Sequence, residues 1–264
     1  MRIAALVAVL VCAALLGAAC GSHGPANRRS AASSGRPTTT TRAFGPRAVR
    51  CAPGDVQQVG SRRLAYAGFA RHGAVAYRLP GRSVLARFGP TNANGYPSVF
   101  GVVGIVVRRD CTPAWYRVEL PLKPNGSTGY VRAASLAVAR VRTRIEVSVS
   151  GRRLTLYRRG KAVLHASVAV GAPATPTPTG SYYVDQRLLP DDPNGPFGPE
   201  AIGISAYSNV LTGWTQGGPV AIHGTNEPWS IGENVSNGCI RLPNTILRKV
   251  FPLAVAGTPV IISP

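Results

Sequence analysis

The amino-acid sequence predicts a mostly β protein in which a small β-barrel precedes a β-sandwich with one or two short helices. The 264 residues include 30 glycines and 23 prolines, which favour short strands joined by tight turns. Charged residues make up only 15% of the chain, and long apolar stretches with helical periodicity are nearly absent. A chain of this length has room for two modest domains that each bury a core.

The formal net charge of +20 is carried mostly by arginine and implies an anionic partner. Acidic lipid headgroups and an anionic cell-wall polymer are the candidates that fit the rest of the sequence. Nucleic acid is not expected as a partner, because the arginines are scattered along strand-like segments and no recognition motif accompanies them.

The first twenty residues indicate export. Met1-Arg2 is followed by an apolar run from Ile3 to Leu16 that is too short to span a bilayer, which predicts a signal peptide over residues 1–19. The small residues before Cys20 resemble the cleavage site of a bacterial lipoprotein, although Leu16 stands one position early. The resemblance implies lipidation of Cys20 and a location at the outer face of the cytoplasmic membrane or in the cell wall. Ordinary secretion, with Cys20 removed or left free, is the alternative.

The five cysteines divide by position. Cys12 lies in the discarded signal and Cys20 at the lipidation site, whereas Cys51 and Cys111 flank one segment and can form a disulfide in an oxidising compartment. Cys239 is left unpaired. Its place in a glycine-bracketed loop indicates a working thiol, with a buried structural cysteine as the alternative.

Two further segments precede the second domain. Residues 20–50 are rich in Ser, Thr, Pro, Gly, Ala and Arg, which predicts a disordered tether between membrane and protein. Residues 51–140 contain about five strand-like runs and the tight turn Pro124-Asn125-Gly126-Ser127. The run Trp115-Tyr116-Arg117-Val118-Glu119-Leu120 and the later Gly129-Tyr130-Val131 resemble SH3-like domains of bacterial wall proteins. Their aromatic residues either fill the barrel core or stack on glycan or peptide.

Residues 141–264 predict the second domain. Alternating strands surround Ser150-Gly151, and the proline-rich loop at 175–180 cannot lie in a central strand. The segment 190–198 suits a surface flap. Strand-like residues 220–222 then lead directly into His223, and Asn244 is predicted to cap a short helix that runs through Val250.

The chemistry is concentrated between His223 and Cys239. A thiol is a weak nucleophile at neutral pH until a base takes its proton, and an imidazole is suited to that task. The backbone N–H groups of Gly238 and Cys239 can donate hydrogen bonds to an oxyanion. A zinc site is not expected, because these two residues lack further ligands at useful spacing.

The second domain resembles the L,D-transpeptidase catalytic (YkuD) family. Four elements carry the resemblance: the paired opening strands, Thr-Pro-Thr-Gly at 177–180, His223-Gly224-Thr225, and the segment from Ser236 to Leu242 that contains Cys239. The resemblance implies a β-sandwich and a cysteine acyl transfer on the tetrapeptide stems of peptidoglycan, through a thioester. It further implies His223 as the base, the Gly224 carbonyl as its orienting partner, and inhibition by carbapenem-type β-lactams.

Other residues of the motif carry two interpretations each. Asn237 replaces the histidine that the family most often has, and is expected to tune the pocket. Arg241 binds a substrate carboxylate or forms a structural ion pair. The remaining candidates bind substrate or serve the fold: Ser236 and Thr225 by satisfying their own backbone, Trp229 by anchoring its loop, and Tyr207 by packing in the core.

No metal or organic cofactor is expected, because the amide carries its own leaving group. The favoured function is a wall-associated L,D-transpeptidase. The alternatives are an L,D-carboxypeptidase, in which water resolves the same thioester, and a non-catalytic wall-binding lipoprotein.

Overall fold

The computed structural model describes residues 45–264. The predicted signal peptide, the lipidation site at Cys20 and residues 20–44 of the predicted tether therefore lie outside the described residues. Within the described part of the chain, no helix has the length and apolar character needed to cross a membrane.

The first sheet contains eight strands and is antiparallel throughout. Its order is β4-β3-β7-β6-β5-β2-β8, and β1 pairs with β5. The strands are β1 Val56–Gln58, β2 Ala65–Ala70, β3 Ala74–Leu79, β4 Arg82–Phe88, β5 Val99–Val107, β6 Pro113–Glu119, β7 Thr128–Arg132 and β8 Leu136–Val141. Three of them, β1, β3 and β8, were not recognised in the sequence. The SH3-like assignment of this region stays a prediction.

The core of the first sheet follows from the two-residue alternation of strand side chains. In β6 the buried residues are Tyr116 and Val118, while their neighbours are partly exposed. These two side chains pack with Phe100 and Ile105 of β5 in one buried cluster. The predicted disulfide between Cys51 and Cys111 is present, with the two Cα atoms 5.2 Å apart. It ties the residues before β1 to the turn between β5 and β6.

The second sheet contains eight of the remaining strands, in the order β11-β10-β9-β18-β13-β14-β15-β17, and β12 pairs separately with β16. The strands are β9 Thr143–Ser148, β10 Arg153–Arg158, β11 Lys161–Ser167, β12 Val170–Gly171, β13 Gly180–Leu188, β14 Ala201–Tyr207, β15 Pro219–His223, β16 Asn234–Ser236, β17 Ile240–Arg241 and β18 Pro259–Ser263. The one α-helix of residues 45–264, α1, spans Asn244–Val250. The mostly β prediction is confirmed.

Strand β13 joins the two halves of the second sheet. Its first residues pair with β18, and from Val184 onward it pairs with β14, with a shift in register between Val184 and Gln186. A single buried cluster takes apolar residues from both halves, among them Ile145 and Ile222, together with Leu247 of α1. The two halves therefore enclose one core, which is the arrangement that a β-sandwich requires.

The two sheets meet along β13 and β14. The Tyr183 hydroxyl donates to the Val99 carbonyl at 3.0 Å, and the Asn125 carboxamide bonds both the N–H and the carbonyl of Tyr207, at 2.9 and 2.7 Å. Gly257 lies against Ala67 of β2, where a Cβ on the glycine would come within 2.2 Å of the alanine Cβ. The change from one sheet to the other falls between Val141 and Thr143.

We expect Gly257→Ala to destabilise the protein by about 2 to 4 kcal/mol, because it combines backbone strain at φ +82° with overpacking against Ala67. Gly54→Ala is the matched control. Gly54 has φ +88° with open space around it, so that variant carries the strain alone and should cost only about 1 to 2 kcal/mol. Urea denaturation of both variants measures the difference. Equal losses would show that the two sheets are not closely packed at Gly257.

Candidate active site

His223 and Cys239 come together because β15 and β17 are parallel neighbours. Ile222 pairs with Ile240, and His223 pairs with Arg241. Ile222 and Ile240 are both fully buried in the core, so alternation places His223 and Cys239 on the opposite face of the two strands. In this register Cys239 lies across from Ala221, one diagonal step from His223.

The imidazole of His223 is buried and held in one orientation. Its Nδ1 lies 2.6 Å from the carbonyl oxygen of Gly224, and His223 is only 4% exposed. A carbonyl oxygen can only accept, so Nδ1 carries the proton and donates it in this bond. Nε2 is therefore the unprotonated nitrogen, free to take a proton. The geometry is the one that the resemblance implied for Gly224.

Burial keeps both members of the pair neutral. It lowers the pKa of His223 to about 4, an effect that the Gly224 carbonyl opposes and the positive charge of Arg241 reinforces. Burial also raises the pKa of the Cys239 thiol above its ordinary value, while a hydrogen bond from the Ala221 backbone and the charge of Arg241 partly offset this. At pH 7 the free protein holds a thiol beside a neutral imidazole, not a thiolate–imidazolium pair.

The loop that carries the cysteine is held by Ser236. Its hydroxyl donates to the Cys239 carbonyl at 2.5 Å and accepts from the Gly238 N–H at 3.1 Å. The Gly238 N–H is therefore already engaged with Ser236, and its role toward an oxyanion stays a prediction. The amide of Cys239 is the remaining candidate donor of the predicted pair.

Two predicted pocket residues are engaged within the site's own loops. Arg241 forms an ion pair with Glu227, which is the structural alternative to binding a substrate carboxylate. The Thr225 hydroxyl accepts from the Glu227 N–H at 2.9 Å, so it satisfies its own loop. Both bonds order the segment that follows His223.

The other predicted binding residues, Asn237, Trp229 and Tyr207, lie on three different segments around His223 and Cys239. Asn237 is exposed on the cysteine loop, and Trp229 is 68% exposed in the preceding loop. Tyr207 lies at the end of β14 and pairs with Pro219, four residues before His223 and thus about 13 Å away along β15. Its assignment to the site stays a prediction. Its hydroxyl donates to the Pro121 carbonyl of the first sheet.

Sequence reasoning missed two supports of the site. Phe197, in the predicted flap, lies edge-on to the His223 imidazole with ring centroids 5.0 Å apart. An aromatic residue inside the Pro-Gly-rich segment was the available signal. Thr175, in the proline-rich loop, donates from its hydroxyl to the Ser236 carbonyl at 2.9 Å and so stabilises the cysteine loop. That contact spans 61 residues and has no local pattern in the sequence.

Comparison with known proteins finds similarity over the same region. Residues 142–262 match the family model of the L,D-transpeptidase catalytic domain. This region is therefore similar to L,D-transpeptidase catalytic domains. The match contains both His223 and Cys239 and ends at β18, so it spans the second sheet.

The curated relatives agree on this region. The chain is 38% identical over 121 residues to a putative L,D-transpeptidase YkuD of Bacillus licheniformis, covering 46% of this chain and 66% of that protein. It is 35% identical over 119 residues to the protein of the same name from Bacillus subtilis, covering 45% and 65%. The chain thus spans just under two thirds of the length of these relatives.

Among solved structures, the chain is similar to a crystal structure of an Enterococcus faecium L,D-transpeptidase mutant. The identity is 28%, the alignment covers 46% of this chain and 49% of that one, and the TM-score is 0.36.

We expect alkylation of Cys239 by iodoacetamide to be slow at pH 7 and to rise about tenfold per pH unit through pH 8, because only the thiolate reacts and the thiol pKa is raised. Mass spectrometry of the peptide containing Cys239 measures the rate against pH. A plateau that begins below pH 7 would indicate a preformed thiolate and would contradict the neutral pair.

Proposed function

We propose that the protein is a peptidoglycan L,D-transpeptidase that uses Cys239 as its nucleophile and His223 as its general base. The observation that carries this proposal is the Nδ1–H of His223 held on the Gly224 carbonyl, on the strand next to that of Cys239. The geometry leaves Nε2 as the proton acceptor, as cysteine acyl transfer requires. The family match over residues 142–262 supports the same reaction class.

The first half of the reaction forms the acyl-enzyme. Nε2 of His223 takes the thiol proton as Sγ of Cys239 attacks the carbonyl carbon between diaminopimelate and D-alanine of a tetrapeptide stem. The Cys239 amide stabilises the oxyanion of the tetrahedral intermediate. The C–N bond then breaks, the imidazolium gives its proton to the departing amine of D-alanine, and a thioester remains on Cys239.

The second half transfers the acyl group. The side-chain amine of diaminopimelate on a second stem attacks the thioester carbonyl and loses a proton to Nε2. The C–S bond breaks, and the sulfur takes the proton back as the thiol. A neutral resting pair suits this cycle, because each proton that His223 accepts is returned within the same half-reaction and the buried site never needs to stabilise an isolated thiolate.

Two alternatives make different products. In an L,D-carboxypeptidase, water replaces the second amine and the thioester is hydrolysed. In a non-catalytic wall-binding lipoprotein, the exposed Asn237 would mark a site without turnover. The intact hydrogen bond between His223 and Gly224 favours a working base, because a protein without turnover has no need to keep the imidazole in one tautomer.

The deciding experiment incubates the full chain, as wild type and Cys239→Ala, with a disaccharide-tetrapeptide and follows the masses. We expect loss of D-alanine and formation of a cross-linked dimer with the wild type, and neither with Cys239→Ala. Loss of D-alanine without a dimer would identify the carboxypeptidase. If neither product forms and a carbapenem adds no mass to Cys239, the catalytic proposal is wrong.

We further propose that the chain works at the outer face of the cytoplasmic membrane, anchored by lipid on Cys20, and that its first sheet contacts an anionic wall polymer. A cavity of about 440 Å³ in the first sheet is lined by His72, Tyr77, Arg87, Arg132 and Ser135, and no carboxylate lines it. The Arg132 guanidinium stacks on the Trp115 ring at 4.7 Å. Stacking fixes the plane of the guanidinium and leaves its N–H edges for an oxoanion.

We expect the double variant Arg87→Ser/Arg132→Ser to lose most of its binding to isolated cell walls, because among the described residues neither guanidinium has a carboxylate partner within 4.0 Å. Arg153→Ser/Arg158→Ser removes the same charge from exposed positions on β10 and should bind nearly as the wild type does. Co-sedimentation with walls at increasing salt measures both. Equal losses in the two double variants would mean that total charge alone governs binding.

A further inference from the structure

The peptide group between Gly224 and Thr225 is held from both of its sides. On one side its carbonyl oxygen accepts the Nδ1–H of His223 at 2.6 Å. On the other its N–H donates to the Oδ1 atom of Asn244 at 2.8 Å. Asn244 was predicted to cap α1, but the helix has Pro243 at its N-cap position and no side-chain cap, so the carboxamide serves this peptide group instead.

We propose that Asn244 is a positioning residue for the general base: by binding the Gly224–Thr225 peptide group, it fixes the tautomer and orientation of His223. This inference rests on the proposed role of His223 in the reaction. Asn244 touches no reacting atom, and it acts through the peptide group and the imidazole.

The position of Asn244 is itself well determined. It is the first residue of α1, whose Leu247 and Val250 are fully buried in the core of the second sheet. A helix anchored in this way gives its first turn little freedom to move. The Asn244 side chain therefore connects a helix that is anchored in the core to the loop that follows His223.

Steric contacts leave the peptide group little room to turn. A Cβ on Gly224 would lie 2.2 Å from Oδ1 of Asn244, and a Cβ on Gly198 would lie 2.5 Å from the same atom. Two glycine backbones thus pack directly against the carboxamide. This contact also connects Asn244 to the segment of Phe197, the residue that lies against the imidazole.

The electrostatic effect has a definite direction. A peptide N–H that donates to Oδ1 polarises its own peptide group, which strengthens the carbonyl as an acceptor. The Gly224 carbonyl raises the pKa of His223 against the larger effect of burial. Loss of Asn244 should therefore weaken the hold on Nδ1–H, allow the Nε2–H tautomer, and leave a poorer base.

The test measures the tautomer directly in the full chain labelled with ¹⁵N-histidine. The chain contains four histidines, and a His223→Gln variant assigns the resonances of His223. For the wild type we expect a protonated Nδ1 and an unprotonated Nε2. For Asn244→Ala we expect a mixture of both tautomers, and for Asn244→Asp, which keeps an acceptor oxygen, a return to the wild-type tautomer.

Asn125→Ala is the matched control. Its carboxamide also holds one backbone residue, Tyr207, but at the junction of the sheets and opposite Pro219, about 13 Å along β15 from His223. We expect that variant to lose a similar amount of stability and to keep the wild-type tautomer of His223. If Asn244→Ala does not fold, Asn244→Ser, with a hydroxyl that falls short of Thr225, replaces it.

The alkylation rate of Cys239 between pH 6 and 8 gives a second readout. We expect Asn244→Ala to raise it, because an imidazole in the Nε2–H tautomer can donate a hydrogen bond to the thiolate and favour its formation, and Asn125→Ala to leave it unchanged. A folded Asn244→Ala with the wild-type tautomer and rate would overturn the inference. Absence of wild-type turnover on stem peptides would instead overturn the proposed function, since neither readout depends on substrate.

Discussion

The short parallel pairing of β15 with β17 is the constraint on which the site depends. Only two residue pairs form it, and further backbone hydrogen bonds on either side of β17 support it. The Leu242 N–H donates to the His223 carbonyl at 2.8 Å, and Arg241 exchanges backbone bonds with Ala169 at 2.9 and 3.0 Å. Ile222 and Ile240 hold the pair in the core. A slip of one residue would turn Cys239 into the core and Ile240 into the site, so register and chemistry are fixed together.

The same burial that fixes the register also sets the proton chemistry. His223 is buried and Cys239 is only partly exposed, so that a charge on either side chain is poorly solvated. The pKa values of imidazole and thiol are shifted in opposite directions, and each shift favours the neutral form. Arg241 is the nearby charge that stabilises a thiolate, and its own charge is balanced by Glu227. The site therefore favours a transient proton transfer over a stable thiolate–imidazolium pair.

The sequence predicted the parts of the molecule that local pattern controls. Alternating strands, the Ser150-Gly151 hairpin and the Cys51–Cys111 disulfide were found where expected. The Gly224 carbonyl partner of His223, which the family resemblance implied, is also present. The errors arose where long-range packing chooses the partner of a polar group. Asn244 has a good residue type for a cap, but its carboxamide finds an N–H nineteen residues away. The sequence gives no sign that the Gly238 N–H has a partner, but it donates to the Ser236 hydroxyl.

Tyr207 shows the same limit in another way. Only the tertiary structure reveals that it pairs with Pro219, four residues before His223, and that its hydroxyl donates to the Pro121 carbonyl of the first sheet. Phe197 was overlooked because its segment has no periodicity. The part of a site that comes from one strand or one motif is therefore predictable, whereas the part supplied by neighbouring loops needs the tertiary structure.

The segment from Asn226 to Ile231 joins two strands that are each fixed independently of it. Since its ends are anchored, doubling its length would cost only about 0.6 kcal/mol in closure entropy. It carries the exposed Trp229 within a short 3₁₀ turn. An insertion beyond Glu227 would enlarge the exposed surface around Trp229 and leave the strand pairing that positions His223 and Cys239 intact.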